Sequence, residues 1–363
     1  MLFVVFLIIL ITGLIFRKSK LLFILQLLFI FILFAGVTDC ADYQIYYSKY
    51  YYIDSYGSYS EWLFTLFIKF CNSLNMSYEV WRGFVALIYI FIIGMISYKL
   101  SPKNHNFIIS LLMVFPLCMD AIQLRQTLAM LLGVIGLYIL YNNKSKKDLL
   151  LSLILIAFAG GIHVSAYLYL ILIPCFYIKS LKKILIYGIV VFLAFAVINM
   201  EIFSSIANFF LSDEKIDVII TVASKHSTLN VLSRQISAII IFSIYSIPYI
   251  YYKYLRKNAL TVKQDNIFKI NIVILLIVLP LINLDVDFYR LQQIILIFSY
   301  YGLSTFFVDN LNYNYDGIVF DKKNILLGNF SVLLTLAVFY LLVYQYSNYE
   351  SCFLPLFNNN FFF

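Results

Sequence analysis

The sequence predicts an all-α integral membrane protein with about twelve transmembrane helices (11 to 13). Of its 363 residues, 63% are hydrophobic and only 12% are charged, and the mean hydropathy is +0.92. A soluble domain carries about 25% charged residues, whereas a spanning helix can expose apolar side chains to lipid on every face. Apolar runs also follow one another along the chain almost without pause. Together these observations exclude a soluble globular protein.

The candidate spans are apolar runs, because a bilayer core needs roughly 20 such residues and accepts shorter runs at edges or as paired half-helices. They are residues 1–16, 21–37, 80–98, 107–119, 127–141, 149–174, 184–200, 236–252, 270–284, 291–308 and 325–346. The first run resembles the apolar core of a signal peptide. Because it has no leading Lys or Arg and no Ala-x-Ala cleavage site, we expect it to be the first span.

The orientation follows from Lys and Arg, which favour cytoplasmic loops. Basic residues cluster in segments 17–20, 99–103, 144–147, 179–183, 253–269 and 322–323. The net charge of +8 therefore reports topology, since no basic arm or domain indicates a nucleic-acid partner. If residues 149–174 formed one helix, every later loop would lie on the other side of the membrane, and the basic segment 253–269 would be outside. Paired glycines weaken a helix, so we predict a break at Gly160 and Gly161. With that break, both termini are expected to lie outside.

We treat residues 1–363 as a single transmembrane domain with two larger outer segments. Segment 38–79 is rich in Tyr and acids, and its apolar stretch 62–70, interrupted by Lys69, suits a helix at the membrane interface. Segment 201–234 is the longest polar outer loop.

Several arginines and one histidine lie near predicted outer helix ends, where the positive-inside rule does not explain them. They are Arg82, Arg125 with its neighbour Gln126, His163, Arg234 and Arg290. A guanidinium is a planar, permanently charged fork that binds phosphate oxygens in pairs, so the set points to a phosphate-linked lipid substrate. The alternative for each arginine is contact with lipid headgroups or pairing with an acid such as Asp120 or Asp287.

A reaction at such a site would also need a general base, for example to take the proton of a sugar hydroxyl. His163 is one candidate, because an unperturbed imidazole titrates near pH 6.5, and the alternative is a histidine hydrogen-bonded at a helix break. The other candidates are Asp42, Glu61, Asp285 and Asp287. Asp285 and Asp287 also match the DxD metal pattern, but a three-residue match is common by chance. We predict no metal and no cofactor, and neither a Walker A nor a GxGxxG motif is present.

Two residue types support weaker inferences. Tyrosines in segment 43–59 offer rings on which sugars can stack, but Tyr also favours the bilayer interface, and we expect the interface to explain most of them. The five cysteines are far apart in sequence, which excludes a zinc motif or a disulfide scaffold. At most, Cys40 and Cys71 pair if both lie in an oxidising compartment.

A set of short motifs lies mainly between residues 35 and 170. They are Ala35-Gly36, Asp42-Tyr43 followed by Tyr46 and Tyr50, Glu61, Leu124-Arg125-Gln126 with Ala129, and His163-Val164-Ser165-Ala166. In this order they resemble the EpsG family of Wzy-type O-antigen and exopolysaccharide polymerases, and Asp287 with Arg290 is similar to a later arginine position. The run Asp39-Cys40-Ala41-Asp42 departs from the expected Arg and Gly-Thr-Asp pattern. Either Asp39 or Asp42 therefore takes the acidic role.

The resemblance implies an inner-membrane glycosyltransferase that acts on the periplasmic side. It would transfer a growing glycan, with inversion, from undecaprenyl pyrophosphate onto the next lipid-linked repeat unit. Its partners would be this lipid-linked oligosaccharide, the bilayer and a membrane protein that regulates chain length. Arg125 and Arg290 would bind the pyrophosphate, and His163 or Asp42 would be the base. The expected substrate-binding residues are Arg82, Glu61, Gln126, Arg234, Tyr46 and Asp287.

Two other functions share these features. A flippase for the same lipid-linked oligosaccharide also needs many spans and cationic residues, but flippases usually place them deep in a central cavity between two similar halves. An O-antigen ligase shares the donor and the membrane side, and the sequence separates it poorly from a polymerase.

Overall fold

The computed structural model describes residues 1–56, 61–198, 227–308, 313–314, 317–318, 322–344 and 348–362. Within these ranges the regular secondary structure is helical, apart from a short hairpin in which β1 (Tyr313–Asn314) pairs antiparallel with β2 (Gly317–Ile318) and an isolated antiparallel bridge between Val37 and Asn360. The predicted all-α class is confirmed. Most of the predicted outer loop 201–234 lies outside the described residues, and its last residues form the start of a helix.

The first half of the chain contains α1 (Leu2–Ile15), α2 (Lys20–Gly36), α3 (Tyr43–Tyr51), α4 (Ile53–Tyr56), α5 (Trp62–Ser73), α6 (Tyr78–Leu100), α7 (His105–Val114), α8 (Leu117–Ile122), α9 (Leu124–Asn142), α10 (Lys146–Ile162), the 3-10 helix Val164–Leu172, α11 (Pro174–Tyr177) and α12 (Leu181–Ala196). The second half contains α13 (Thr228–Ile250), extended by the π-helical turn Tyr251–Leu255, then α14 (Val262–Leu281), the 3-10 helix Val286–Gln292, α15 (Gln293–Val308), α16 (Lys322–Phe339), the π-helical turns Tyr340–Tyr344 and Tyr349–Phe353, and α17 (Pro355–Asn358).

Five long helices begin at a hydroxyl side chain. Ser19, Ser77, Ser145, Ser227 and Thr261 each accept a hydrogen bond from the backbone N–H three residues later. Such N-caps satisfy one of the N–H groups that a helix start leaves without a partner. The helix starts therefore follow from local sequence.

Among the described residues, four helices are long and apolar enough to cross a bilayer, and they are Tyr78–Leu100, Leu124–Asn142, Thr228–Leu255 and Val262–Leu281. Five shorter apolar helices accompany them, and they are Leu2–Ile15, Lys20–Gly36, His105–Val114, Val164–Tyr177 and Gly328–Val343. These lengths fit a membrane protein, and the count of about twelve crossings stays a prediction.

The predicted run 107–119 is two helices rather than one. Helix α7 ends at Val114, and α8 begins after Pro116. Proline has no backbone N–H and its ring collides with the preceding helical turn, so the chain breaks there. The break brings the short α8 directly before the start of α9.

The predicted split of the run 149–174 is confirmed, and it lies directly after the glycines rather than at them. Helix α10 continues through both glycines to Ile162, and the direction changes at His163. A Cβ at Gly160 would collide with the ring of Tyr167, and one at Gly161 would lie 3.0 Å from the ring of Trp62. The glycines allow the close approach of neighbouring segments.

Hydrogen bonds join neighbouring predicted cytoplasmic loops at one end of the bundle. This end is called the basic end. The N–H of Asn106 donates to the carbonyl of Arg17 at 3.2 Å, and Lys144 Nζ donates to that of Phe176 at 2.6 Å. Lys263 Nζ reaches Asn142 Oδ1 at 3.1 Å. At the opposite end, the rings of Phe3 and Phe357 pack 5.4 Å apart, so α1 begins where the C-terminal segment lies.

Candidate functional site

Five of the predicted site residues lie at the opposite end from the basic loops. Asp42 directly precedes α3, and Glu61 directly precedes α5. Arg125 is the second residue of α9, His163 follows α10, and Arg290 belongs to the 3-10 helix Val286–Gln292. Each therefore sits at the end of an element, where a side chain can reach the end of the bundle.

Arg125 and Glu61 form the best defined contact of this group. Arg125 Nη1 lies 2.5 Å from Glu61 Oε2, and the two side chains are 23% and 8% exposed. The backbone N–H of Arg125 also donates to the hydroxyl of the buried Tyr46, at 3.3 Å. Arg125 is thus held from two sides, by α3 and by the start of α5.

His163 approaches the same carboxylate. Its Nδ1 lies 3.5 Å from Glu61 Oε1, whereas Arg125 Nη1 lies closest to Oε2. Glu61 therefore stands between a guanidinium and an imidazole and sets the position of both.

Asp42 lies in the field of both arginines. The charges of Arg290 and Arg125 act on its carboxyl and favour the ionised form, while the charge of Asp287 opposes it. Burial outweighs these effects and raises the pKa of Asp42 above its ordinary value. Asp39, the other acid of the motif, is exposed, so Asp42 is the acid on which the charges of both arginines act in a partly buried position.

Arg290 is oriented by its own helical turn. Its Nη2 lies 2.8 Å from Asp287 Oδ1, and Asp285 accepts a hydrogen bond from the N–H of Asp287 at 2.9 Å. Both acids of the DxD pattern thus have partners within the turn. In the part of the chain that the structure describes, no three His, Cys, Asp or Glu side chains form a group that could hold a metal ion.

Arg234 reaches the site through an aromatic ring. Its guanidinium lies 4.7 Å from the ring centre of Tyr289, and that of Arg290 lies 5.8 Å from the same ring. Tyr289 is fully buried between the two cations. Sequence reasoning did not single out Tyr289, although its position beside Arg290 in the chain is a signal that could have suggested it.

Arg82 is not brought to the acidic residues of the site. It is 1% exposed, and its guanidinium donates to the carbonyls of Phe34, at 3.0 Å, and Ala121, at 2.6 Å. These carbonyls belong to the last turns of α2 and α8, where helical carbonyls lack partners and carry partial negative charge. Arg82 therefore joins two helix ends inside the bundle. Gln126 is also buried, at the third position of α9.

The C-terminal segment holds the stretch that carries Asp42. The N–H of Thr38 donates to the carbonyl of Asn359 at 2.8 Å, and that of Ala41 to Ser351 at 2.9 Å. Asn360 Nδ2 donates to the carbonyl of Ile32 at 3.0 Å. No sequence pattern indicated this contact, because it joins residues from the two ends of the chain. The five cysteines, including Cys40 and Cys71, are free and buried.

The arrangement combines fixed cations with a proton acceptor. Arg125 and Arg290 come from different helices, and the charges of both act on the carboxyl of Asp42. Two guanidiniums in one region can hold a group with several negative oxygens. A carboxylate and an imidazole in the same region can accept a proton from a bound hydroxyl.

Comparison with known proteins gives one match. The model of the EpsG family matches residues 20–358, a range that includes Asp42, Glu61, Arg125, His163 and Arg290. Searches of curated proteins and of solved structures found no match.

Proposed function

The chain belongs to the EpsG family, and we propose that it is a polysaccharide polymerase of the bacterial cytoplasmic membrane. It transfers a growing glycan from undecaprenyl pyrophosphate onto the next lipid-linked repeat unit at the periplasmic face. A membrane protein that regulates chain length is its expected partner.

The proposed topology has twelve crossings. They are α1, α2, α6, the α7–α8 pair, α9, α10, the segment Val164–Tyr177, α12, α13, α14, α15 and α16. Hydrogen bonds between basic loops at one end of the bundle support this assignment, because such loops favour the cytoplasm. The site residues then face the periplasm, as do both termini.

The observation that carries the proposal is the cluster in which Arg125 and His163 both contact Glu61, while the charges of Arg125 and Arg290 both act on Asp42. In the reaction, an acceptor hydroxyl oxygen bonds to the anomeric carbon of the glycan, and the bond from that carbon to the pyrophosphate oxygen breaks. The leaving pyrophosphate gains negative charge. Fixed guanidiniums stabilise that charge, and preorganised electrostatic stabilisation is usually the largest single contribution to catalysis. A single direct displacement inverts the anomeric centre.

The proton of the acceptor hydroxyl passes to Asp42 or His163. Burial raises the pKa of Asp42, which brings this carboxyl closer to the range in which a general base is effective. His163 is held against Glu61, which also fixes Arg125. Asp287 orients Arg290 through their ion pair. Arg234 packs against the ring of Tyr289, which Arg290 also contacts.

Two further predicted residues lie beside this machinery. Tyr46 supports the start of α9 through the N–H of Arg125, and Gln126 follows Arg125 in the same turn. We assign Arg82 to the support of the site rather than to sugar contact, because its described partners are main-chain carbonyls inside the bundle.

Transport is the less favoured alternative. A flippase needs cations along a cavity open to both membrane faces, whereas Arg125 and Arg290 gather with Asp42 at one end of the bundle. A ligase would use the same donor and the same end, and it differs only in its acceptor.

The test uses cells that lack the gene and are complemented with wild type, Arg125→Ala or Arg290→Ala. The matched control is Arg256→Ala, an exposed arginine after the π-helical turn Tyr251–Leu255. We expect wild type and the control to restore the polysaccharide ladder, and the two site variants to leave only the single-repeat product. Loss of the single-repeat product as well would favour a flippase or ligase. A normal ladder in both site variants would overturn the proposed roles.

A further inference from the structure

Lys269 is a buried lysine near the basic end of the bundle. It lies about two turns into α14, about 10 Å along the helix from Val262, and it is 5% exposed. Its Nζ donates to Oδ1 of Asn266, a neutral amide, at 3.4 Å. Among the residues that the structure describes, no acidic side chain forms an ion pair with Lys269. A buried ammonium usually needs an opposite charge, because its removal from water is costly.

The acid whose charge acts on Lys269 already has other partners. Asp265 Oδ1 accepts hydrogen bonds from Lys253 Nζ at 2.9 Å and from the hydroxyl of Tyr249 at 2.6 Å. The charge of Asp265 attracts the ammonium of Lys269, whereas the charges of Lys144 and Lys253 repel it. This one carboxylate therefore does not balance the cations around Lys269.

Helix α11 brings Lys144 to the same place. Lys144 lies in the loop between α9 and α10, and its Nζ donates to the carbonyl of Phe176 at 2.6 Å. The adjacent Cys175 contacts the carbonyl of Lys269 through its sulfur, at 3.9 Å. The charge of Lys179 acts on Lys144 in turn. Because Lys144 is exposed, a ligand can approach this group of lysines from the surface of the bundle.

Asn266 offers a second donor beside the buried ammonium. It is 1% exposed, and its Nδ2 has no hydrogen-bond partner in the described part of the chain. Nδ2 is bonded to the same carbon as Oδ1, so it lies next to the oxygen that contacts Lys269. Buried polar groups are normally hydrogen-bonded. An amide without a partner next to a buried cation therefore indicates a ligand with negative charge and oxygen acceptors.

We propose that Lys269, Asn266 and Lys144 bind the phosphate group of an anionic phospholipid at the basic end. The two unesterified oxygens of a lipid phosphate accept from the ammonium and the amide, while the acyl chains stay among apolar side chains. Basic sites between transmembrane helices are typical places for anionic headgroups. Helix α14 has 20 residues and is a candidate span, so a lysine about two turns from its start lies near the headgroups rather than at the bilayer centre.

The proposal goes beyond the polymerase reaction, because the site lies at the opposite end of the bundle from Arg125 and Arg290. The preference of basic residues for cytoplasmic loops explains exposed lysines such as Lys144 and Lys179. It does not explain a lysine that is buried within a helix beside an amide without a partner.

The test is native mass spectrometry of the full chain, purified in detergent, delipidated and titrated with phosphatidylglycerol. We expect wild type to bind one phosphatidylglycerol tightly, and Lys269→Met, which keeps the length of the side chain, to bind it about tenfold more weakly. Lys144→Gln removes one surface charge and should weaken binding about fivefold. The control is Lys18→Gln, at an exposed lysine between α1 and α2, and it should bind as wild type does.

Two further ligands identify the source of the phosphate. Phosphatidylcholine has the same phosphodiester without a net charge, and we expect wild type to bind it about tenfold more weakly than phosphatidylglycerol. If inorganic phosphate raises the unfolding temperature of wild type but not of Lys269→Met, the ligand is soluble and the proposal of a lipid is wrong.

Equal binding of phosphatidylglycerol by wild type and Lys269→Met would overturn the proposal and leave Lys269 as a structural lysine. If Lys269→Met fails to accumulate, the comparison of Lys144→Gln with Lys18→Gln decides. Weaker binding by Lys144→Gln alone supports the site, and equal binding by these two variants contradicts it.

Discussion

Arg125 and Glu61 form an ion pair, 2.5 Å between Nη1 and Oε2, that joins the start of α9 to the start of α5. The other oxygen of Glu61 lies 3.5 Å from His163 Nδ1. One largely buried carboxylate thus positions a guanidinium and an imidazole that the sequence places in different helices. Removal of this carboxylate should therefore change the positions of both the Arg125 and the His163 side chains.

Glu61→Gln should reduce polymer formation by at least tenfold, because the neutral amide no longer holds Arg125 in place. Breaking a buried ion pair by removing one partner costs up to about 3–5 kcal/mol, and partial exposure of Arg125 reduces this cost. We therefore expect a lower unfolding temperature as well as lost activity, measured on detergent-purified protein and on polysaccharide gels.

Asp54→Asn is the matched control for Glu61→Gln, since Asp54 pairs with Lys69 at the same end of the molecule but is 85% exposed. Exposed ion pairs contribute little to stability, so this variant should behave as wild type. Equal losses in both variants would contradict a specific role for Glu61.

Asp42→Asn should remove the acidic limb of the pH–rate profile. A base acts when it is deprotonated, and burial raises the pKa of Asp42. The rate of the wild type should therefore fall on acidification at a pH above the ordinary aspartate value near 3.9. We expect the variant to lose about 100-fold in rate. If Asp42→Asn retains the rate and His163→Gln loses it, the imidazole is the base.

The same substitution tests stability. A raised pKa means that the folded state binds this proton more tightly than the unfolded state, so the contribution of Asp42 to stability is greatest below about pH 4 and is lost as pH rises through the raised pKa. Asp42→Asn lacks this loss. At pH 7 its unfolding temperature should equal or exceed that of wild type, with the difference vanishing at low pH. A lower value at pH 7 would show that the arginines outweigh burial.

Arg82→Met should destabilise the protein by about 3 kcal/mol, because the buried carbonyls of Phe34 and Ala121 lose a charged donor. Arg82→Lys keeps the charge and should lie between wild type and Arg82→Met. Thermal unfolding measures both effects. A variant that unfolds like wild type but makes no polymer would instead place Arg82 in contact with the substrate.

Asn360→Ala should lower activity several-fold while most of the protein still accumulates. Asn360 donates to the carbonyls of Ile32 and Leu356 and accepts from the N–H of Phe362, and it anchors the segment that holds Thr38 and Ala41. Loosening that segment frees the stretch before Asp42 at a cost of about 1–2 kcal/mol.

Asn358→Ala, an exposed neighbour, is the control for Asn360→Ala. Gly36→Ala should reproduce the defect, because a Cβ at Gly36 would collide with the side chain of Asn360. Normal polymer length in both Asn360→Ala and Gly36→Ala would exclude a positioning role for the C-terminal segment.

Arg82 and Arg125 show where prediction from sequence stops. Both lie near the start of a long helix, and the hydropathy pattern treats them alike. Arg82 turns inward to the carbonyls of Phe34 and Ala121, whereas Arg125 faces Glu61. The direction of each side chain depends on neighbours that are distant in sequence, and the pattern of a single helix contains no information about them.

The glycine pair shows how far local sequence goes for the backbone. Low helix propensity predicted a break at Gly160 and Gly161, and α10 ends at Ile162, directly after them. The close approach of Tyr167 and Trp62 to these glycines depends on tertiary packing, and helix propensity contains no information about it.

By itself, the sequence determined that the chain is helical and apolar, and it determined which polar residues lie near helix ends. Composition and the spacing of hydrophobic runs are local properties of the sequence. Only the tertiary structure decided that Glu61 joins Arg125 to His163, that the charges of Arg125 and Arg290 both act on Asp42, and that the C-terminal segment holds the residues before Asp42. These contacts depend on how separate elements pack, and packing is set by the shape of both partners together.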